Sequence, residues 1–476
     1  MTAPPDRPGP PVTAGPPGDA VPPARASVLD PAGELRELAS DCVHCGFCLP
    51  ACPTYQLWGE EMDSPRGRIH LITQLLDGAQ ADDAAAAHID RCLGCMACVP
   101  ACPSGVRYDR LIEAARGWAE EPPPGPPPLP ARSWRDRAAR AAIFRTFPYP
   151  GRLRILTAPL RAVQRTGFDR LIQRTGLAGR VSPELAAALR VAPGTGRSGQ
   201  PQRRRPAGAR YPGRVPARGT RRAVVGMLLG CVQQVFFPQV NDATARVLAA
   251  EGCDVIIPPG QGCCGALSLH GGRLTEAAGF ARRTIEAFER AGVDAIIVNA
   301  AGCGSAMKDY ADLLAADPLW AGRAAALAGK VRDFSEFLTE LGPAAVRHPL
   351  PVMAAYHDAC HLGHAQRITT QPRELLLAIP GLHLAEIADG GTCCGSAGIY
   401  NLVQPGAARD LGERKAKTVL ATKAGLLVSA NPGCAMQIAA ALAEQGAQLP
   451  MAHIAEVLDA SIQGRPLTAL LGQPGT

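Results

Sequence analysis

Through roughly the last 250 residues, apolar positions come in short β-branched runs, each followed by a longer stretch with apolar residues at helical spacing. The runs at 223–230, 254–257 and 295–299 lead to Cys231, Cys263-Cys264-Gly265 and Cys303, and those at 352–357 and 426–431 lead to Cys360 and Cys434. Strand, cysteine-bearing loop and helix in succession is the pattern of a parallel α/β domain, which gathers functional groups at the carboxyl ends of its strands. Aligning the cysteines exposes an internal repeat. Cys231 is followed after 31 residues by Cys263-Cys264-Gly265 and after 38 more by Cys303; Cys360 is followed after 32 by Cys393-Cys394-Gly395 and after 39 by Cys434. Such matched spacing marks two copies of one unit, and the four cysteines of each are expected to meet at one sheet edge.

The first quarter of the chain reads as helical. Residues 31–40 form a short helix with Leu35 and Leu38 as its apolar edge, and 64–76 form a longer one with Ser64 as cap and Pro65 in the first turn. A third runs from Asp83, taken as its cap, to Asp90, and a fourth covers 108–118. Residues 1–30 are rich in proline, glycine and alanine and read as a disordered leader rather than a signal peptide. The expected domains are thus 1–30, 31–120, a linker at 121–221, and the two units at 222–345 and 346–465.

Charge changes the picture only in the linker. A proline run over 121–128 is a stiff spacer, and between Arg132 and Arg222 there are 22 arginines, no lysine and three acids, a surplus of 19. The whole chain carries +7, so everything else sums to −12 and the basicity is local. Apolar residues at helical spacing (Leu153, Ile155, Leu160, Val163, Phe168, Leu171, Ile172) suggest helices that dock on an acidic partner or on anionic lipid headgroups. The stretch from Pro193 to Thr220 reads instead as solvated linker. No recognition motif accompanies the charge, so a nucleic-acid partner is not expected. No apolar run is long enough to cross a bilayer.

Candidate chemistry is densest at the helical end, where one cysteine pattern occurs twice: Cys42, Cys45, Cys48 and Cys52 before Pro53, then Cys92, Cys95, Cys98 and Cys102 before Pro103. C-x2-C-x2-C-x3-C-P, repeated, is what a pair of [4Fe–4S] clusters requires: three close thiolates wrap one cube and the fourth serves the other. Cys42, Cys45, Cys48 and Cys102 are assigned to one cluster, and Cys92, Cys95, Cys98 and Cys52 to the other. Zinc does not call for the third cysteine or the trailing Cys-Pro, and disulfides do not suit a chain of 17 cysteines without export features. A reducing, cytoplasmic setting follows. The 39 residues between Cys52 and Cys92 exceed what a compact β-type ferredoxin uses, so this ferredoxin-type domain should be helical. Arg66 and Arg68 either sit near the clusters or form a solvated helix face.

These two runs, the stretch Asp63-Ser64-Pro65-Arg66-Gly67-Arg68, the tail Cys102-Pro103-Ser104-Gly105-Val106 and the paired Cys-Cys-Gly (CCG) units resemble the iron–sulfur subunits of glycolate oxidase (glycolate dehydrogenase), over about 38–117 and 222–462. The wider group includes iron–sulfur subunits of glycerol-3-phosphate dehydrogenase, lactate-utilisation proteins and heterodisulfide-reductase-like proteins. The resemblance implies a multidomain α and α/β fold: a helical two-cluster ferredoxin domain followed by two repeated α/β cysteine-rich domains. It implies an electron-transfer subunit whose FAD-bearing partner oxidises a 2-hydroxy acid, with a quinone or other membrane acceptor downstream and peripheral contact with the inner face of the membrane. No glycine-rich dinucleotide fingerprint follows a strand here, so the flavin is expected on the partner.

The CCG units depart from the heterodisulfide-reductase pattern, which ends in C-x-x-C; Ala300 and Asn431 stand where the extra cysteine would be. Cys231, Cys263, Cys264 and Cys303, and likewise Cys360, Cys393, Cys394 and Cys434, are therefore left between three readings: one or two further clusters, a redox-active thiol pair, or structural cysteines. His357, His361 and His364 surround Cys360, and each is as readily a satisfied polar group at a strand end as a ligand. Cys253 is expected to be a core thiol. Two other functional readings, a heterodisulfide-reductase-like enzyme and a docking or assembly protein with structural clusters, rank below electron transfer.

Overall fold

The computed structural model describes residues 33–124, 128–166, 183–192 and 211–471. The expected leader and most of the stretch from 193 to 220 lie outside these residues.

The N-terminal part is helical among its described residues. The helix Pro65–Leu76 starts where Ser64 accepts the Gly67 N–H at 3.0 Å, and a Cβ on Gly67 would fall 2.1 Å from the Glu61 carbonyl, so only glycine fits against the preceding turn. The next helix, Asp83–Asp90, is capped one residue earlier than expected, by Asp82, which accepts the Ala85 N–H. Tyr108–Glu120 follows, and Ile69, Ile72, Leu111, Ile112 and Ala115 close the core among these helices.

The two CCG units are two parallel sheets of one design. The first holds β1 (Arg214–Val215), β2 (Ala223–Met227), β3 (Cys253–Ile256), β4 (Ala295–Val298) and β5 (Val331–Asp333), in the order β1-β3-β2-β4-β5 with only β1 antiparallel. The second holds β6 (Val352–His357), β7 (Leu382–Ala385), β8 (Leu426–Ser429) and β9 (Met451–His453), in the order β7-β6-β8-β9. Setting β2 on β6 reproduces the first order in the second. Strands β5, β7 and β9 are not evident from the sequence pattern, because a polar residue (Arg332, His383 and His453) breaks or ends each short apolar run. Cys253 lies fully buried in β3, as expected of a core thiol.

One apolar core runs through both units, taking Val225, Val255 and Ile297 from the first and Ala354, Val428 and Val457 from the second. Polar contacts fix the seam: Arg246 grips Asp459 with two bonds of 2.9 and 2.7 Å, His453 Nε2 lies 2.9 Å from the Asn299 carbonyl, and the Ala301 N–H donates to the Ala430 carbonyl. The units are therefore held in a single relative orientation, with their cysteine-bearing edges facing each other.

The arginine-rich segment is built into this fold. Helices Trp134–Thr146, Pro150–Thr166 and Pro183–Val191 turn Ile143, Phe144, Leu153 and Ala187 inward, while Arg132 and Arg140 pair with Glu120 and Asp136, and Arg132 also with Asp90. Burying Phe144 and Leu153 stabilises by on the order of 2 kcal/mol each.

Candidate metal centres

Both N-terminal cysteine runs follow the same backbone path. His44 and Gly46 in the first, and Gly94 and Met96 in the second, occupy matching positions and all have positive φ, at 52°, 86°, 62° and 60°. Glycine holds one left-handed position in each loop and a non-glycine residue the other. Left-handed residues between right-handed ones turn consecutive N–H groups toward a common point, the concavity that many iron–sulfur sites use. An arginine overlies each glycine: Arg66 Nη1 lies 2.8 Å from where a Cβ on Gly46 would be, and Arg116 Nη1 lies 3.2 Å from that of Gly94.

Cys42, Cys45, Cys48 and Cys102 line one cavity with Arg66. Cys52, Cys92, Cys95 and Cys98 line another with Arg68 and Tyr108, and Cys98 also reaches the first. The two groups differ in exposure. Cys45 is exposed, flanked by Val43 and Phe47 at 69% and 65%, whereas Cys52, Cys92, Cys95 and Cys98 are all buried.

Arg68 is fully buried, which excludes the solvated-face reading for it; it donates to the Asp63 carbonyl at 2.6 Å, the His88 carbonyl at 2.6 Å and Thr54 Oγ1 at 3.2 Å. Asp63 gathers Arg68, His88 and Arg91 within 3.2 Å, so the first and last residues of the Asp-Ser-Pro-Arg-Gly-Arg stretch belong to one charge network centred on a buried carboxylate. Burial pushes the Cys92 thiol up, but Arg68 and Arg116, the Tyr108 hydroxyl at 3.4 Å and the Gly94 N–H at 3.3 Å outweigh it and hold the pKa below the usual thiol value. Cys95 and Cys98 are instead pushed well up, by burial first and then by neighbouring thiolates. Four thiols in one place need a cation to accept their charge, so this donor set fits a cluster. Arg116 has no local sequence signal, because the groups it bonds, the carbonyls of Cys92 and His270, are 24 and 154 residues away.

All eight CCG cysteines line a single cavity of about 390 Å³. Each unit brings its own four together, as the spacing implied; that the two sets share one chamber is not visible from spacing. Phe147, Leu153, Leu156, Ala188 and Val191 of the arginine-rich helices line the same chamber. Cys95 of the second N-terminal run packs in one cluster with Cys360, Cys393 and Tyr400.

Within the chamber the first unit is a set of paired thiols. Cys231 and Cys263 are 3.5 Å apart, and hydrogen bonds from Cys263 and Cys303 favour the Cys264 thiolate, lowering its pKa. In the second unit the ligand atoms of His357, Cys394 and Cys434 lie within 4.8 Å of one another, and the Asn431 amide donates to Cys434 Sγ at 3.3 Å. His361 Nδ1 is 3.5 Å from Cys360 Sγ, at the start of a π-helical turn (His361–Ala365), while His364 Nε2 is satisfied by the Gly391 carbonyl at 2.8 Å. Burial lowers the pKa of both His357 and His361 to about 3, so both rings are neutral. Lys415 is buried and donates to the Asp389 and Gly390 carbonyls at 2.8 and 3.1 Å; burial lowers its pKa, and Cys394, Cys393 and Cys434 act against that by favouring its cation.

Comparison with known proteins agrees with this layout. Residues 38–106 match a 4Fe-4S dicluster domain, 225–308 and 354–439 match a cysteine-rich domain (CCG), and 135–192 match the linker region of the glycolate oxidase iron-sulfur subunit. The "Probable glycolate oxidase iron-sulfur subunit" of Bacillus subtilis (strain 168) is 37% identical over 426 residues, covering 88% of this chain and 93% of that protein. The chain belongs to the family of glycolate oxidase iron–sulfur subunits. The Escherichia coli (strain K12) "Glycolate oxidase iron-sulfur subunit" is 35% identical over 406 residues, 84% of this chain and 89% of its own. "Lactate utilization protein A" of Shouchella clausii is 33% identical over 49% of this chain and 98% of its own length. As a family member this chain is an iron–sulfur oxidoreductase component, and the match at 135–192 covers most of the helices that line the chamber. No helix among the described residues is long and apolar enough to cross a membrane.

Proposed function

We propose that the chain carries electrons from an FAD-bearing 2-hydroxy acid oxidase subunit, with glycolate as substrate, toward a quinone or other membrane acceptor. The observation that carries the reading is a continuous file of cysteine sites: a first group open to solvent at Cys45, a buried second group, and the CCG chamber against which Cys95 packs. Cys42, Cys45, Cys48 and Cys102 hold one [4Fe–4S] cluster and Cys92, Cys95, Cys98 and Cys52 the other; Cys360, Cys393, Cys394 and Cys434 hold a third centre. When bound, these centres supply one-electron carriers whose potentials respond to burial and to hydrogen bonds on sulfur. The chain's own residues set those conditions: Arg68 and Arg116 offset thiolate charge at the second site, and Lys415 does so at the CCG site.

Val43 and Phe47 around Cys45 offer the flavin subunit an apolar docking point at the exposed end of the file. At the other end, Ile155 and Leu156 are 76% and 53% exposed beside exposed Arg152 and Arg154, and Leu156 also lines the chamber. This supports peripheral contact with an anionic membrane face and entry of an apolar acceptor from it. The test is anaerobic addition of glycolate to the chain with its flavin partner. The expected result is reduced-cluster EPR signals that need both glycolate and the partner, with Cys95→Ser removing one signal and halting turnover with a quinone. Turnover unaffected by Cys95→Ser would contradict the reading.

A further inference from the structure

His357 ends β6, three residues before Cys360, and its side chain is 1% exposed. Neither ring nitrogen has a hydrogen-bond partner. A neutral imidazole offers one N–H and one lone pair, and leaving both unpaired in the interior costs free energy comparable to lost hydrogen bonds. Buried polar groups left in this state call for an explanation, and a bound ion is a recurrent one. The surroundings supply it: the His357 ring, Cys394 Sγ and Cys434 Sγ converge within 4.8 Å.

The repeat provides an internal control. Val225 faces Ala295 across β2 and β4, and Ala354 faces Leu426 across β6 and β8, so the position equivalent to His357 in the first unit is Leu228, likewise three residues before its cysteine. Leu228 is 2% exposed and cannot ligate anything. The second unit, which has Asn431 in place of an additional cysteine, thus has a nitrogen donor beside its thiols that the first lacks.

We propose that His357 is a nitrogen ligand to the third centre, giving the second unit a mixed imidazole and thiolate ligand set for an iron–sulfur cluster. The proposal rests on the reading that this unit holds such a centre. Added to the four thiolates, a neutral imidazole where a fifth thiolate would otherwise stand keeps one negative charge out of the ligand set and raises the reduction potential, placing the centre as an electron sink after the two all-cysteine clusters.

The experiment is pulsed EPR on the full chain, purified anaerobically with natural or ¹⁵N-labelled histidine, alongside iron analysis. The expected result is a third signal with a nitrogen coupling that changes on ¹⁵N labelling. His357→Ala loses the coupling and part of the iron; His357→Cys restores the iron without the coupling and at a lower potential. A third signal unchanged in His357→Ala overturns the proposal, as does a coupling that survives there and disappears in His361→Ala, or zinc found in place of iron. About eight irons with only two cubane signals in the unaltered chain would instead show that the unit holds no centre, and both statements would fall.

Discussion

The two CCG units share strand order, cysteine spacing and a core, yet their buried polar groups differ. Three matched positions are Leu228, Thr284 and Ala300 in the first unit and His357, Lys415 and Asn431 in the second. The alignment of Thr284 with Lys415 follows from the helix behind each CCG turn, since Gly265 packs on Ala277 and Phe280 as Gly395 packs on Ala408 and Leu411. In both units the thiols have one another as partners; in the second they also have an imidazole, an ammonium and an amide. Strand order fixes where four thiols gather, and the side chains packed behind them decide whether an anionic centre is tolerated there.

The sharpest way to break the contrast is to remove a cysteine from each unit. Cys360→Ser is expected to abolish electron delivery to quinone while Cys231→Ser leaves most of it, measured as partner-dependent turnover; equal losses would erase the distinction. Next comes the buried cation. Lys415→Met strands two carbonyls and is expected to cost about 2 kcal/mol in denaturant unfolding, against less than about 1 kcal/mol for Thr284→Val.

The residues that begin two of the helices, one in each unit, respond to acid in opposite senses. His453 and Asp333 each begin a helix in a capping box, with Glu456 and Glu336 as the reciprocal partners. Burial lowers the His453 pKa to about 4, so between pH 6.5 and 4 the unfolded chain binds the extra proton and stability falls with pH. Burial raises that of Asp333, so its contribution is present at low pH and lost as pH rises through the folded value. Glu456, pushed up to about 7 by burial, acts in the same sense as Asp333 and remains in any His453 variant. His453→Asn is therefore expected to reduce the loss between pH 6.5 and 4 by up to about 3 kcal/mol, read from denaturant midpoints across that range. An unchanged slope would contradict the role assigned to the ring. The smallest effect is expected of Asn431→Ala, which removes one N–H···S bond from Cys434 and should shift the third centre modestly to lower potential in a redox titration.

The sequence shows what is local. Cluster spacing, the Ser64 cap and the β-branched runs before each cysteine involve neighbours a few residues apart, and each is found where the pattern implies. Strands β5, β7 and β9 are interrupted or ended by Arg332, His383 and His453 and so form no apolar run that the pattern could show. The arginine-rich helices are legible in the spacing of Leu153 and its apolar neighbours, but spacing does not show that Leu153 and Phe144 turn onto the chain's own core, nor that Arg132 and Arg140 meet Glu120. Sequence alone leaves Arg68 between a place near the clusters and a solvated helix face; its partners at Thr54 and His88 make it core. His357 is indistinguishable from His361 and His364 until strand register sets it at the end of β6, facing Cys394 and Cys434.

The most direct test of the central claim, that the second unit and not the first carries the third centre, is iron and acid-labile sulfide analysis of the anaerobically purified chain beside its Cys394→Ser and Cys264→Ser variants. The account predicts about twelve irons in the unaltered chain and in Cys264→Ser, falling to about eight in Cys394→Ser. About eight in all three, or a loss confined to Cys264→Ser, would contradict it.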